Sequence, residues 1–173
     1  DPLHKVTVIP RGRALGLALS LPEKDAYSHS ESWLKDYMVF AFGGYAAEKI
    51  VYGETTTGTA QDITQATDFA RKMVCEWGMA ESMGPVAYGQ KEEPIFIGKE
   101  IARHKDYSED TAMKIDQSIK AFLDEAAGRA IQILTTNRDK LEKLAEELIA
   151  KETLLDSDIR TLFGLPDRVR AQA

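Results

Sequence analysis

The stretch ESWLKDYMVFAFGGYAAEKIVYGETTTGTAQDITQATDFARKMVCEW, residues 31–77, decides the fold. From Glu31 to Tyr52 it sets Trp33, Tyr37, Phe40, Ala41, Gly44, Ala47 and Val51 mostly three or four positions apart, the period of one helical face, and Gly53 is placed to stop that helix. Residues 54–60 (ETTTGTA) are turn-rich. A second amphipathic helix follows from Ala60 to Trp77, with Ala66, Phe69, Ala70, Met73 and Trp77 along one side and Gly78 at its end.

Working outward, residues 4–9 (HKVTVI) and 14–20 (ALGLALS) are short β-rich or apolar runs around Pro10-Arg11-Gly12-Arg13, which predicts two strands joined by a turn. On the other side, residues 78–107 are irregular, with a short strand expected at Ile95-Phe96-Ile97. The longest helix is expected from Ser108 to Asn137, because Ile115, Ile119, Phe122, Ala126, Ala130 and Ile133 recur at helical spacing. Residues 138–151 carry Leu141, Leu144, Ala145, Leu148 and Ile149 and make its antiparallel partner. A short helix, Asp156 to Phe163, stops at Gly164, and the rest is a tail. The fold class is mainly α with a small β-sheet, an α+β arrangement ending in an antiparallel helix pair.

Composition bounds the function. At 173 residues and 43% hydrophobic content the chain can bury a core of its own. Its formal net charge of −6 is spread along the sequence. There is no basic stripe for a nucleic-acid backbone and no polybasic patch for an anionic membrane. The single cysteine, Cys75, cannot form an internal disulfide; its neighbours Met73, Val74 and Trp77 indicate a packed thiol in a reducing compartment. No apolar run reaches the roughly 18 residues of a membrane span. The chain opens Asp1-Pro2-Leu3-His4, without signal-peptide architecture or initiator methionine, so a longer parent protein is expected.

Two carboxylates are the informative positions. Helical phasing places Glu48 with Tyr37, Ala41 and Gly44, and Asp62 with Ala66, Phe69 and Met73, so both are expected on apolar faces flanking the turn-rich loop. A buried ionised carboxylate is costly without a cation or several donors, which points to a shared cation or a hydrogen-bonded network. A plainer role is also open, since Thr59-Ala60-Gln61-Asp62 fits a helix cap in which the Thr59 hydroxyl takes a backbone N–H and the acid favours the positive end. Capping and metal ligation are compatible, because a capped turn holds a ligand rigidly. Glu48, likewise, is open to a rim position facing solvent or Lys49.

Other chemistry is weak. His4, His29 and His104 lie in separate segments, and none forms the i, i+4 pair that puts two imidazoles on one helical face. His4 is expected packed or hydrogen-bonded in a strand, and the other two exposed. Neither RGRALG nor TTTGTAQD has the context of a nucleotide-binding loop. Serines 28, 30, 32 and 108 sit beside helix starts as caps.

The strings HKVTVIPRGRALG (4–16), GGYAAEKIVYGE (43–54), TTGTAQDITQATDFARKMV (56–74) and EWGMAESMGPVAYG (76–89) closely resemble the peptidase domain of FtsH-type ATP-dependent zinc metalloproteases. Weaker matches at SEDTA (108–112) and ETLLDSDI (152–159) extend the resemblance over nearly the whole chain. In that family an upstream helix bears His-Glu-x-x-His, whose histidines bind zinc and whose glutamate activates water; that motif is absent here. The third zinc ligand is the aspartate of a TGA-x-x-D pattern, which falls on Asp62, with Thr59 where the pattern has alanine. Glu48, in AAEKI, matches a glutamate beside the site, where AEEI is usual.

The resemblance implies that residues 1–164 are the C-terminal part of a zinc peptidase domain, with the sheet, active-site helices and irregular loop in 1–107, a helical subdomain in 108–164 and a tail at 165–173. It implies zinc completed by upstream residues, ATP and magnesium at an upstream ATPase domain, polypeptide substrates, a homohexamer, and an upstream membrane anchor that holds this domain, itself soluble, on the cytoplasmic side of a bacterial inner membrane rather than at an organellar one. The segment alone is expected to be inactive. The strand from Ala14 to Ser20 offers an edge to an extended substrate, with Ala14, Leu15, Gly16, Leu17 and Ala18 as the contact positions. The rival from another class is a non-catalytic helical scaffold, or an oligomerisation module using the surface around Ile115–Ile133.

Overall fold

A computed structural model describes residues 2–10, 12, 16–21, 28–88, 107–166 and 168. The chain divides into two compact units, His29–Thr135 and the pair of segments Asp1–Ser28 and Thr136–Ala173. The mainly helical architecture with a small sheet is as expected from the sequence.

The first unit holds α1 (Glu31–Ala41), α2 (Gly43–Tyr52), a 3-10 turn (Thr57–Thr59), α3 (Ala60–Cys75) and α4 (Glu109–Thr136). Ser30 starts α1 by accepting the Trp33 N–H at 3.2 Å, and Ser108 does the same for Thr111 at 3.2 Å, so both serve as the caps expected of them. The single helix expected over 31–52 is broken at Phe42, whose φ of −75° and ψ of 2° leave the helical well just before the Gly43-Gly44 pair. Its core joins Leu34, Met38 and Ala46 from α1 and α2 to Ala66, Ala70 and Met73 of α3, and to Ile115, Ile119, Ala126 and Ala130 of α4.

The buried stripe of α1 is therefore turned by about one residue from the expected one. Leu34 and Met38 are buried, Trp33 and Tyr37 only half-buried, and Phe40 is 55% exposed. The aromatic residues instead stack along the edge. His29 lies on Trp33 at 3.8 Å between ring centroids, Trp33 on Tyr37 at 5.3 Å, and Tyr37 meets Phe69 of α3 edge-on at 5.2 Å.

α3 ends at Cys75, two residues before the expected end, and Trp77 is exposed. The chain reverses through Gly78 (φ +62°), and the Met79 N–H reaches back to the Met73 carbonyl at 2.9 Å, closing the end of the helix. A Cβ at position 78 would also stand 3.0 Å from Pro85 Cα, so glycine is required there twice over. The strand expected at 95–97 lies outside the described residues.

The second unit is built on β1 (Leu3–Thr7), β2 (Leu17–Ser20), α5 (Arg138–Lys151), β3 (Thr153–Leu155) and α6 (Asp156–Phe163). The sheet order is β2-β1-β3, all antiparallel, with a register irregularity between Leu3 and Lys5. β3 was not expected from the sequence; it pairs Thr153 with Thr7 and Leu154 with Val6, bringing the far end of the chain onto the first strand. Leu148, Leu154 and Ile159 form the core, with Leu3, Val6, Leu144 and Phe163 against it. Thr7 is buried, and its hydroxyl donates to the Glu152 carbonyl at 3.0 Å and bonds the Thr153 hydroxyl at 2.8 Å. α6 starts with the Leu155 N–H held by the Asp158 carboxylate at 2.9 Å and ends at Gly164 as expected. No helix among the described residues is long and apolar enough to cross a membrane.

Candidate functional site

The turn between α2 and α3 is organised by Glu48. Its carboxylate accepts the Thr56 N–H at 2.7 Å through Oε2 and the Thr56 hydroxyl at 2.8 Å through Oε1. Thr56 Oγ1 in turn accepts the Gly58 N–H at 3.2 Å, and the Thr56 carbonyl accepts the Thr59 hydroxyl at 3.2 Å. Thr59 is buried, with its methyl group 3.9 Å from where a Cβ on Gly44 would sit, so the 3-10 turn packs on α2. α3 leaves this turn at Ala60, and Asp62 stands in its first turn.

Two expectations change here. Thr59 occupies the N-cap position, but its side chain does not cap α3. Its backbone is helical (φ −86°, ψ −2°), which turns the hydroxyl back to Thr56. Thr56 caps instead, one turn earlier, on the 3-10 segment. The expected apolar faces also do not bury the two carboxylates alike. Glu48 is half-buried and engaged by Thr56 through both oxygens, whereas Asp62 is exposed at the end of a stripe whose Ala66 and Met73 are buried. Of the alternatives open for Glu48, the hydrogen-bonded network is the one realised.

Asp62 has no hydrogen bond or ion pair among the described residues. The positive end of α3 favours its charged form. Neighbouring atoms nonetheless desolvate the carboxyl enough to push its pKa above the ordinary aspartate value. It is an exposed carboxylate with open lone pairs on the first turn of a helix, the kind of donor that a zinc ion accepts. No group of three or more His, Cys, Asp and Glu side chains that could hold a metal ion occurs among the described residues. Asp62 thus fits as one ligand of a set, and the set is not contained here.

The remaining candidates carry less. Cys75 is buried, and desolvation raises its thiol pKa while Arg71 partly opposes it, so it is an inert packed thiol. His4 is exposed, not packed, and His29 is exposed and stacked on Trp33; His104 lies outside the described residues. Of the expected edge positions, Leu17 and Ala18 are exposed on β2, the outer strand of the sheet. At Gly16 a Cβ would fall 2.8 Å from the Thr7 carbonyl oxygen, so the absence of a side chain there serves the approach of the chain to β1. Ala14 and Leu15 lie outside the described residues. Thr56 was missed; the only signal for it in the sequence was the run Thr55-Thr56-Thr57 before a helix, where short hydroxyl side chains compete for backbone groups.

Comparison with known proteins covers both units. The chain is 50% identical over 164 residues to the ATP-dependent zinc metalloprotease FtsH of Borreliella burgdorferi, an alignment covering 95% of this chain and 26% of that protein. It is 47% identical to ATP-dependent zinc metalloprotease FtsH 3 of Symbiobacterium thermophilum, over 99% of this chain and 28% of the relative. The Thermotoga maritima FtsH is 43% identical over 95% of this chain and 27% of the relative. The chain therefore spans about a quarter of the length of these relatives. Residues 1–162, which take in the Glu48–Thr56 turn, Asp62 and the whole sheet, match one family throughout. The chain belongs to Peptidase family M41.

Proposed function

We propose that this chain is the C-terminal part of the peptidase domain of an ATP-dependent, membrane-anchored zinc metalloendopeptidase, and that Asp62 is its ligand to the metal. The observation that carries this is the Asp62 carboxylate, without a partner among the described residues and partly desolvated in the first turn of α3, at the position matching the family's aspartate ligand. Zinc, when bound, polarises the scissile carbonyl and lowers the pKa of its water. Two histidines and the general base belong to a His-Glu-x-x-His helix elsewhere in the protein.

What this chain contributes is placement. α3 presents the carboxylate from its first turn, and Glu48 has both of its oxygens on Thr56, in the loop that delivers that turn. The outer edge of β2, at Leu17 and Ala18, offers backbone pairing to an extended polypeptide, giving affinity with little sequence choice. Low sequence choice suits processive degradation of unfolded, cytoplasmic and membrane proteins. ATP with magnesium at a separate ATPase domain, a homohexamer and anchoring at the cytoplasmic side of the bacterial inner membrane complete the proposed assembly; the relatives' names carry the ATP dependence and the zinc. A scaffold built on the Ile115–Ile133 surface is disfavoured because Ile115, Ile119, Ala126 and Ala130 are buried in their own unit's core.

In the full-length protein, Asp62→Ala should lower peptidase activity by more than the roughly 10–100-fold that loss of an outer-sphere partner costs. Activity within tenfold of the parent would refute the ligand assignment. The edge-strand part has its own check, since Leu17→Pro should weaken peptide binding; unchanged affinity would remove β2 from the substrate site.

A further inference from the structure

We infer that Thr56 is a positioning residue for the metal site, the residue through which Glu48 fixes the turn that delivers Asp62. This rests on the proposed role of Asp62 as a zinc ligand. Every polar group of Thr56 is used. Its N–H and hydroxyl both donate to Glu48, at 2.7 and 2.8 Å, its Oγ1 also accepts the Gly58 N–H at 3.2 Å, and its carbonyl accepts the Thr59 hydroxyl at 3.2 Å.

This density of bonding is unexpected for its location. Residues 53–58 are all exposed, and exposed neutral hydrogen bonds add little to global stability because water replaces them readily. Two of these bonds go to a carboxylate, which makes them shorter and stronger than neutral ones. What they determine is local: the bond to Gly58 sets the start of the 3-10 turn, the bond from Thr59 sets its end, and α3 begins at the next residue. Among the described residues Asp62 has no side-chain partner to orient it, so the place from which its side chain starts follows from the path of this backbone. A hydroxyl that donates one way and accepts the other is what links the carboxylate to the turn. Valine has the same shape and can do neither.

The test uses the full-length protein with Thr56→Val, Thr56→Ser and Asp62→Ala. Zinc affinity is measured by chelator competition, and hydrogen exchange is followed at Gly58 and the first turn of α3 in the zinc-free protein. Thr56→Val is expected to weaken zinc binding about 10–100-fold, the range for outer-sphere partners, and to speed exchange in residues 58–63, with Thr56→Ser restoring both. Unchanged zinc affinity in Thr56→Val overturns the inference, and so does faster exchange without weaker zinc, because the clamp would then be structural only. Asp62→Ala separates the two failures. Retained zinc there removes the ligand assignment and the inference with it, whereas zinc lost there but unaffected by Thr56→Val removes the Thr56 clamp alone.

Discussion

Thr56 and Thr7 both tie segments together through a hydroxyl, one at the α2–α3 turn and the other in the sheet. The Thr56 bonds to Glu48 span eight residues and are exposed, while the Thr7 bond to Glu152 spans 145 residues and belongs to a buried side chain. Burial and sequence separation decide what each accomplishes. A buried hydroxyl holding two partners is costlier to remove than an exposed one, and a contact between the two ends of the chain closes the sheet. An exposed, local network has little weight in global stability, but it sets the direction of a backbone that carries a chemical group. The sheet unit uses its threonine to fold, and the helical unit uses its threonine to aim.

This contrast can be broken in order of expected size. Leu154 is 1% exposed at the centre of the sheet unit's core, so Leu154→Ala should cost about 2–5 kcal/mol of stability by denaturant unfolding. Zinc affinity of the protein that remains folded should not change. A loss of zinc affinity without unfolding would mean that the sheet shapes the metal turn. Thr7→Val should cost about 0.5–1.5 kcal/mol, the net worth of an ordinary hydrogen bond, because the Glu152 carbonyl still accepts the Val8 N–H at 2.9 Å when the Thr7 hydroxyl is gone. A cost below about 0.5 kcal/mol would place Thr7 in the same class as an exposed threonine.

The smallest effect has the opposite sign. The Asp62 pKa is raised in the folded state by desolvation, so the folded protein holds that proton more tightly than the unfolded chain does. The stability this confers is present below the unfolded aspartate pKa and is lost as pH rises through the folded one. Zinc-free Asp62→Asn should therefore be slightly more stable than the parent at neutral pH, an advantage that fades as the solution is acidified below the ordinary carboxylate range. Thermal unfolding at two pH values checks this; a destabilised neutral-pH variant would show that attraction to the positive end of α3 outweighs the desolvation of the carboxylate.

Most of the helical frame was legible in the sequence. α3, α4, α5 and α6 begin within a residue or so of where apolar spacing, serine caps and glycine stops put them, because these signals are local. The phase of α1 was not, since Trp33 and Leu34, and Tyr37 and Met38, are adjacent apolar pairs and only tertiary packing chooses which member goes inside. β3 escaped because a strand of three residues has no periodicity and exists through its pairing with β1. At the site, Glu48 and Asp62 could be picked out by position. Their burial could not, because helical phasing says which side a residue is on and not where that side ends. The cap was misassigned to Thr59 because Thr55, Thr56, Thr57 and Thr59 all offer a hydroxyl, and the choice is made by Glu48 from the preceding helix.

The central claim is that this chain places one metal ligand, Asp62, from a turn fixed by Glu48 and Thr56. Metal analysis of purified, folded full-length protein carrying Asp62→Ala tests it most directly. The account predicts that zinc is lost while the helical content is retained. A folded Asp62→Ala protein that kept one zinc per subunit through dialysis against a chelator would contradict it.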